Sequence, residues 1–391
     1  MRPLLAALVF GVMLQPLLAF ASRPPSIHEF MLDNGLKLIV YEDHHAPLVH
    51  SHLWYRIGSN QEGPGQTGLS HALEHMLFNG SSKLCSGESD QILQHLGGSE
   101  NATTLNDATL YFHTLPAHAL GVSFEILADQ MSTAHLSATQ WGGEREVIKN
   151  ERSESFENHP LRRALELPRR LALPASAAGN PVIGWRHDLD RLQIEDLKHW
   201  YGHWYAPNNA TLVIVGDVNP EQALAQVKQY FGDKQPQTLP TRPSVRQTGF
   251  RGLNETTTHL PVQVPSLLMA YNLPTLTTAT DPKTAYSLSL LSDVLDGGLS
   301  ARLEKHLVRD KQLLASVGSG YSAFSRGDGL LLIQATPRQG VSLEQAKAAI
   351  LAEIEALKTQ PIATRELERA KTNTLTELIY SQDSIDRKSV V

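Results

Sequence analysis

Two histidines and a glutamate fall within five residues, His71-Ala72-Leu73-Glu74-His75, and no other stretch restricts the fold as strongly. In a helix, residues four apart share a face, so His71 and His75 can turn their ring nitrogens toward one point, with Glu74 on the same arc. Two imidazoles do not complete a metal site. A third ligand has to come from a distant segment that packs against this helix. Two His and one carboxylate then leave the fourth tetrahedral position to water, the arrangement of a hydrolytic zinc centre. An H-x-x-E-H run arises by chance in roughly 4 per cent of chains of this length and composition, so the third ligand carries the weight.

The segment Glu144-Arg145-Glu146-Val147-Ile148-Lys149-Asn150-Glu151 offers it. Glu144 and Glu151 are seven residues apart, nearly two helical turns, and point the same way. Glu151 is read as the third ligand and Glu144 as its supporting companion. Glu146 and Glu154 read as parts of a solvated face.

Four pieces of the chain together resemble the pitrilysin-like family of zinc peptidases, the inverzincins, whose relatives include insulin-degrading enzyme and the mitochondrial processing peptidase. They are His71 to His75 with the following Met76-Leu77-Phe78-Asn79-Gly80-Ser81; Asn101-Ala102-Thr103-Thr104-Leu105-Asn106-Asp107-Ala108-Thr109-Leu110-Tyr111; the Glu144 to Glu151 segment; and the run from Trp204 to Val218. The resemblance implies a zinc endopeptidase with one Zn2+ per chain, bound by His71, His75 and Glu151. It makes Glu74 the general base and Glu144 a support of the catalytic site. Peptides or unfolded polypeptides would lie along the strand of Asn101, Ala102 and Thr104, paired to it through main-chain hydrogen bonds. In several family members the metal-free half adds an Arg and, seven residues later, a Tyr that contact substrate. Here Arg309 stands at the first position and Ser316 at the second, with Tyr321 out of register.

The chain reads as α+β, with two homologous domains, each a mainly antiparallel sheet packed against helices. Lys37 to Tyr41 and Leu48 to Tyr55 read as strands, the former after the turn Asp33-Asn34-Gly35. Ala117 to Met131 and Gln222 to Phe231 carry helical periodicity, and Leu212 to Val215 is a continuous β-rich run. Advancing the first half by 218 residues places Leu73 to Ser82 over Leu291 to Ser300. His71, Glu74 and His75 then fall on Ser289, Ser292 and Asp293. With a small gap, Glu144-Arg145 matches Glu368-Arg369, and Glu151 becomes Leu375. The boundaries expected are a signal peptide over 1–21, a zinc-binding peptidase domain over 22–235, a linker over 236–264 and a metal-free second domain over 265–391. The second domain reads as C-terminally shortened, with Asp386 to Val391 as doubtful native sequence.

Met1-Arg2, the apolar run Leu4 to Leu18 and Ala19-Phe20-Ala21 before Ser22 have the form of a cleaved export signal. Gln15 and Pro16 interrupt the run and disfavour an uncleaved anchor. The expected destination is the periplasm, with no membrane span in the mature chain. A net charge of −6 gives no reason to expect a nucleic-acid partner. Cys85 is the only cysteine, so no intrachain disulfide can form, and no His or Asn constellation recommends it as a nucleophile. The histidines at 44, 45, 50 and 52 are read as structural, divided between the faces of a strand. The sequons at Asn101 and Asn209 fall inside strand-like segments and are read as incidental. Two rival functions stand beside the peptidase. One is a non-catalytic or partner-dependent subunit, working as a homodimer or with a related peptidase-like chain; the other is a zinc-binding or storage protein.

Overall fold

The computed structural model describes residues 27–247 and 252–381. The export signal read over 1–21 and the segment Asp386 to Val391 lie outside them. In chain order the first half runs β1 (Ile27–Met31), β2 (Lys37–Glu42), β3 (Leu48–Tyr55), α1 (Leu69–Leu77), α2 (Glu88–His95), β4 (Ser99–Thr104), β5 (Thr109–Pro116), α3 (Leu120–Thr133) and α4 (Ala138–Arg152). It continues with α5 (Pro160–Ala172), α6 (Arg186–Leu189), α7 (Ile194–Trp204), β6 (Ala210–Gly216) and α8 (Pro220–Phe231). Its six strands lie in the order β1-β2-β6-β3-β5-β4, with β6 parallel to β2 and every other neighbour antiparallel.

Period-2 alternation puts one face of this sheet against the helices. Leu38 and Val40 of β2, Val49, Leu53 and Tyr55 of β3, Tyr111 and Leu115 of β5, and Leu212 and Ile214 of β6 meet Leu69, Ala72, Leu73, Met76 and Leu77 of α1 in one buried cluster. Phe124 and Leu127 of α3 and Leu197, Trp200 and Trp204 of α7 close it. Each large aliphatic side chain buried there contributes about 1.5–3 kcal/mol. One expectation is corrected on the other face. His50 and His52, two apart on β3, share a face rather than dividing between faces; both are buried and their rings are 4.2 Å apart.

The second half runs β7 (Leu267–Leu273), α9 (Pro282–Asp296), a π-helical segment over Glu304–Asp310, β8 (Leu314–Gly320), β9 (Gly329–Pro337), α10 (Leu343–Thr359) and α11 (Thr364–Ser381). Its antiparallel sheet has the order β7-β9-β8, and the first half contains the same arrangement as β3-β5-β4. The sequence order strand, helix, two strands, two helices is likewise that of β3, α1, β4, β5, α3 and α4. The duplication read from Leu291 to Ser300 and from Glu368-Arg369 therefore falls on α9 and α11. Ser289, Ser292 and Asp293 occupy α9, and Thr374 Oγ1 of α11 donates to Asp293 Oδ2 at 2.8 Å. A neutral hydrogen-bond donor and a carboxylate thus join two helices that, in the first half, face each other through His and Glu.

Helix α5 is the bridge between halves. Asn272 Nδ2 of β7 donates to Ala172 O at 2.7 Å, and Leu173 and Ala178 form a small buried cluster with Leu330 of β9. Residues 236–247 and 252–264 carry no helix or strand.

The start of α1 is fixed by a backbone-to-backbone contact. Gly68 and Gly184 are both left-handed, at φ 86° and 85°. A Cβ on Gly184 would stand 2.4 Å from Thr67 O and 2.7 Å from Gly68 Cα, and one on Gly68 would stand 2.6 Å from Ile183 O. Gly87 is also left-handed, but nothing lies within 4 Å of its Cβ position. Gly68→Ala and Gly184→Ala are each expected to lower unfolding stability by about 2–4 kcal/mol, combining backbone strain with forced separation. Gly87→Ala should cost about 1 kcal/mol. Urea unfolding of the full chain measures all three, and equal losses would show that the close approach contributes nothing.

Candidate metal and peptidase site

Helix α1 begins where Glu62 accepts two of its unpaired backbone donors, the N–H of Gly68 at 2.8 Å and that of Ser70 at 2.7 Å. Burial pushes the Glu62 carboxyl up to about 8, against the downward pull of those N–H groups. Thr67 adds a second tether, donating to Asp188 Oδ2 at 2.6 Å and accepting from Trp185 N–H at 2.8 Å. Helix α4 is capped by Ser137 and locked by Trp141, whose Nε1–H donates to Leu192 O at 3.1 Å. Once both helices are fixed in this way, their facing side chains have little freedom.

His71, His75 and Glu151 are brought together, each offering a ligand atom within 4.8 Å of the others. Glu151 Oε2 lies 3.7 Å from His71 Nε2 and 3.4 Å from His75 Nε2. A tetrahedral zinc ion bound at about 2.0–2.1 Å sets its ligand atoms about 3.3–3.5 Å apart, so this trio fits one with little movement. Among the described residues no other His, Cys, Asp or Glu group gathers so closely. Glu144 Oε2 sits 3.2 Å from His75 Nδ1, on the ring's far side, and so orients the imidazole and strengthens its Nε2 as a donor to metal. His71 Nδ1 is buried without such a partner.

The electrostatics suit ligands. Burial, then the charge of His75, holds His71 down to about 4, so it is neutral near pH 7. Burial also opposes the His75 cation, but Glu151 and Glu144 outweigh it and raise the ring above its ordinary value. Glu151 is lowered by its hydrogen bond to His75, which keeps it ionised. Glu74 is buried on the same helix, and burial raises its carboxyl, opposed by Thr104 Oγ1, which donates to Glu74 Oε2.

A cavity of about 590 Å³ opens beside these groups, lined by His71, Glu74, Ala102, Thr104 and Glu151, among others. Ala102 and Thr104 are buried toward α1, whereas Asn101 is exposed on the opposite face of β4 and does not line it. β4 ends the sheet, so beyond it no strand pairs among the described residues. Arg309 is not brought to this place. It is exposed in the π-helical segment and donates through Nη1 to Leu299 O at 3.1 Å.

Sequence reading passed over the rest of the cavity wall. After α4 the helix widens into a π-helical turn over Ser153–Glu157, and α5 follows with Arg162, Leu165, Glu166 and Arg169 on the cavity. Buried Arg152 ties the two helices, giving Nη1 to Glu166 Oε1 at 3.1 Å and Nη2 to Glu166 Oε2 at 3.2 Å. The usable signal was the spacing of Arg162, Glu166 and Arg169, which puts three charged residues on one helical face.

Known zinc proteases resemble this chain. Residues 37–180 match the model of the insulinase peptidase family, M16, and residues 191–374 match that of the M16 inactive domain. The zinc protease PqqE of Helicobacter pylori is 28% identical over 365 residues, covering 92% of this chain and 81% of PqqE. The zinc protease YmxG of Bacillus subtilis is 24% identical over 366 residues, 93% of this chain and 86% of YmxG. A crystal structure of a protease from Helicobacter pylori superposes with a TM-score of 0.85 at 26% identity, covering 93% of this chain and 87% of that one. No helix among the described residues is long and apolar enough to cross a membrane. The inactive-domain match covers Ser289, Ser292 and Asp293, which the repeat aligns with His71, Glu74 and His75, and the insulinase match covers all three candidate ligands: the chain belongs to the M16 family of zinc peptidases.

Proposed function

We propose that this chain is a zinc-dependent endopeptidase that hydrolyses peptides or unfolded polypeptides, exported to the periplasm by the leader at its N-terminus. The observation that carries the reading is the convergence of His71, His75 and Glu151 beside a buried Glu74, on a cavity flanked by the edge strand β4. His71, His75 and Glu151 would hold one zinc ion. Bound there, zinc supplies Lewis acidity toward a carbonyl and toward water.

The remaining work falls to the chain itself. The outer edge of β4 pairs with no other strand among the described residues, so an extended peptide can join the sheet there as a further strand, replacing the local bonds of Ala102 N–H to Asn101 Oδ1 and of Thr103 Oγ1 to Ala102 O, and bring its own backbone to the cavity. Glu74 takes a proton from the attacking water and returns it to the leaving amine. Thr104 Oγ1 donates to Glu74 Oε2 and fixes the direction of its carboxylate. Glu144 keeps His75 in one ring orientation. Arg309 would meet only the part of a long substrate that leaves the cavity. A second copy or a related subunit could extend that surface.

Three outcomes test the reading. His71→Ala, His75→Ala and Glu151→Gln should each sharply lower the zinc content of the purified chain, whereas Glu146→Gln should not; full occupancy in Glu151→Gln would remove Glu151 from the ligand set. Glu74→Gln should keep about one zinc per chain and lose peptide hydrolysis on the order of a hundredfold or more in a quenched-peptide assay. Wild-type turnover in that variant would defeat the general-base role, and loss of zinc would make Glu74 structural. Arg309→Ala should slow cleavage of long polypeptides with zinc content unchanged while sparing short peptides that fill only the cavity; indifference to both substrates would remove Arg309 from substrate binding.

A further inference from the structure

The charges of the cavity are unevenly divided. The carboxylates of Glu74 and Glu151 come from α1 and α4, while α5 contributes Arg162, Glu166 and Arg169. Glu166 is already committed, because both of its oxygens accept from buried Arg152. Neither Arg162 nor Arg169 has a carboxylate partner among the described residues. Arg162 gives only a long contact to Ser155 O at 3.4 Å, and Arg169 gives Nη1 to Ala178 O at 3.0 Å.

Arg169 is the more telling of the two. A guanidinium has five N–H donors in a planar fork, and one bond to Ala178 fixes that fork without saturating it. Arg169 is half-buried, and burial lowers its pKa from the ordinary value, so its charge is partly withdrawn from water with no carboxylate among the described residues to compensate. A purely structural arginine in such a place would be expected to resemble Arg152, which is buried and met by a bidentate carboxylate. Arg169 instead lines the cavity that holds His71, Glu74 and Glu151.

We infer that Arg169, assisted by Arg162, binds a carboxylate of the substrate within this cavity. The chemistry recognised is a carboxylate a few residues from the scissile bond, either an Asp or Glu side chain or a free C-terminus. An Arg–carboxylate pair can form two parallel N–H···O bonds, and anchoring by Ala178 holds the fork ready for them. The inference rests on the peptidase reading for its substrate, and it adds a charge preference that edge-strand pairing cannot supply, since backbone hydrogen bonds do not distinguish side chains.

The test is binding of labelled octapeptides to the zinc-loaded Glu74→Gln chain, followed by fluorescence anisotropy, so that it does not depend on turnover. Four peptides are compared: one internal Asp or its Asn counterpart, each with a free or amidated C-terminus. At least one carboxylate-bearing peptide is expected to bind about tenfold more tightly than the doubly neutral one. The Asp-amide and Asn-acid arms separate a side-chain carboxylate from a terminal one. Adding Arg169→Gln should bring that ratio to about one, Arg162→Gln should reduce it by about two- to threefold, and Arg169→Lys should restore part of it. Zinc content and thermal unfolding identify any variant that fails to fold, and the exposed Arg162 provides a second route if Arg169→Gln does. Equal binding of acidic and neutral peptides, no binding of either, or a ratio that survives both glutamine variants overturns the proposal. Hydrolysis of any of the four peptides by the wild-type chain is scored separately. Its absence alongside acid-selective binding would defeat the peptidase reading alone, and its presence without acid selectivity would defeat the carboxylate site alone.

Discussion

Helix α1 has to bury Leu69, Ala72, Leu73, Met76 and Leu77 against the sheet while holding His71, Glu74 and His75 at the boundary of the same core. The two demands oppose each other, since a group drawn out of water loses its charged form unless something nearby replaces the solvent. Each ionisable side chain of α1 has a different replacement. His75 has Glu144 behind it and Glu151 in front, Glu74 has the hydroxyl of Thr104, and His71 remains neutral. Much of the first half can be understood as the supply of these partners at fixed positions. α4 is held by Trp141, β4 is held by β5, and the start of α1 is pinned between Glu62 and the Gly68–Gly184 contact.

The second half shows what the same packing looks like without that demand. α9 and α11 repeat the pairing of α1 and α4, yet they are joined by the Thr374–Asp293 hydrogen bond and by Asn373 Nδ2 donating to Gly297 O at the end of α9. Ser289 and Ser292 stand where ionisable groups would need compensation. The scaffold stands without His and Glu at these positions, because the sheet-facing side chains of the repeat, such as Leu295, Leu331 and Ile333, are what maintain it. The match of residues 191–374 to an inactive domain has this physical content.

Features that rest on local periodicity were legible in the sequence. The spacing of His71 and His75 needed only a helix, and so did that of Glu144 and Glu151. Leu48 to Tyr55 and Leu212 to Val215 showed themselves as strands, and the offset of 218 residues, with a small gap before Glu368-Arg369, found the helix pairs of the repeat. Features that depend on distant segments were hidden. No local pattern says that β6 inserts between β2 and β3, parallel to the former, since that order is decided by how the helical layer returns the chain to the sheet. His50 and His52 were divided between faces although a period of two joins them, an error in applying the pattern rather than a limit of it. The role of α5 was missed because its arginines gain meaning only from the cavity beside them. Arg309 was chosen by position in a motif, and its placement away from the cavity reflects the fold of a segment whose sequence alone does not fix its direction.

None of the residues lining the cavity comes from the second half; all lie between His71 and Ile183. The second half nevertheless has a physical route to it through α5. One stretch of that helix carries Arg162, Glu166 and Arg169 toward the cavity, while Leu165 and Pro168 also border a smaller space over Met269, Leu332 and Ile333 of the second sheet. The end of α5 is tied down by Asn272 and packed through Leu173 against Leu330. On its other side, Arg152 grips Glu166 from α4 with two hydrogen bonds and holds α5 at that point. The position of the cavity's cationic wall relative to Glu151 is thus set by two attachments, one in each half. Packing far from His71, His75 and Glu151 can alter where a substrate carboxylate would sit without moving those three groups.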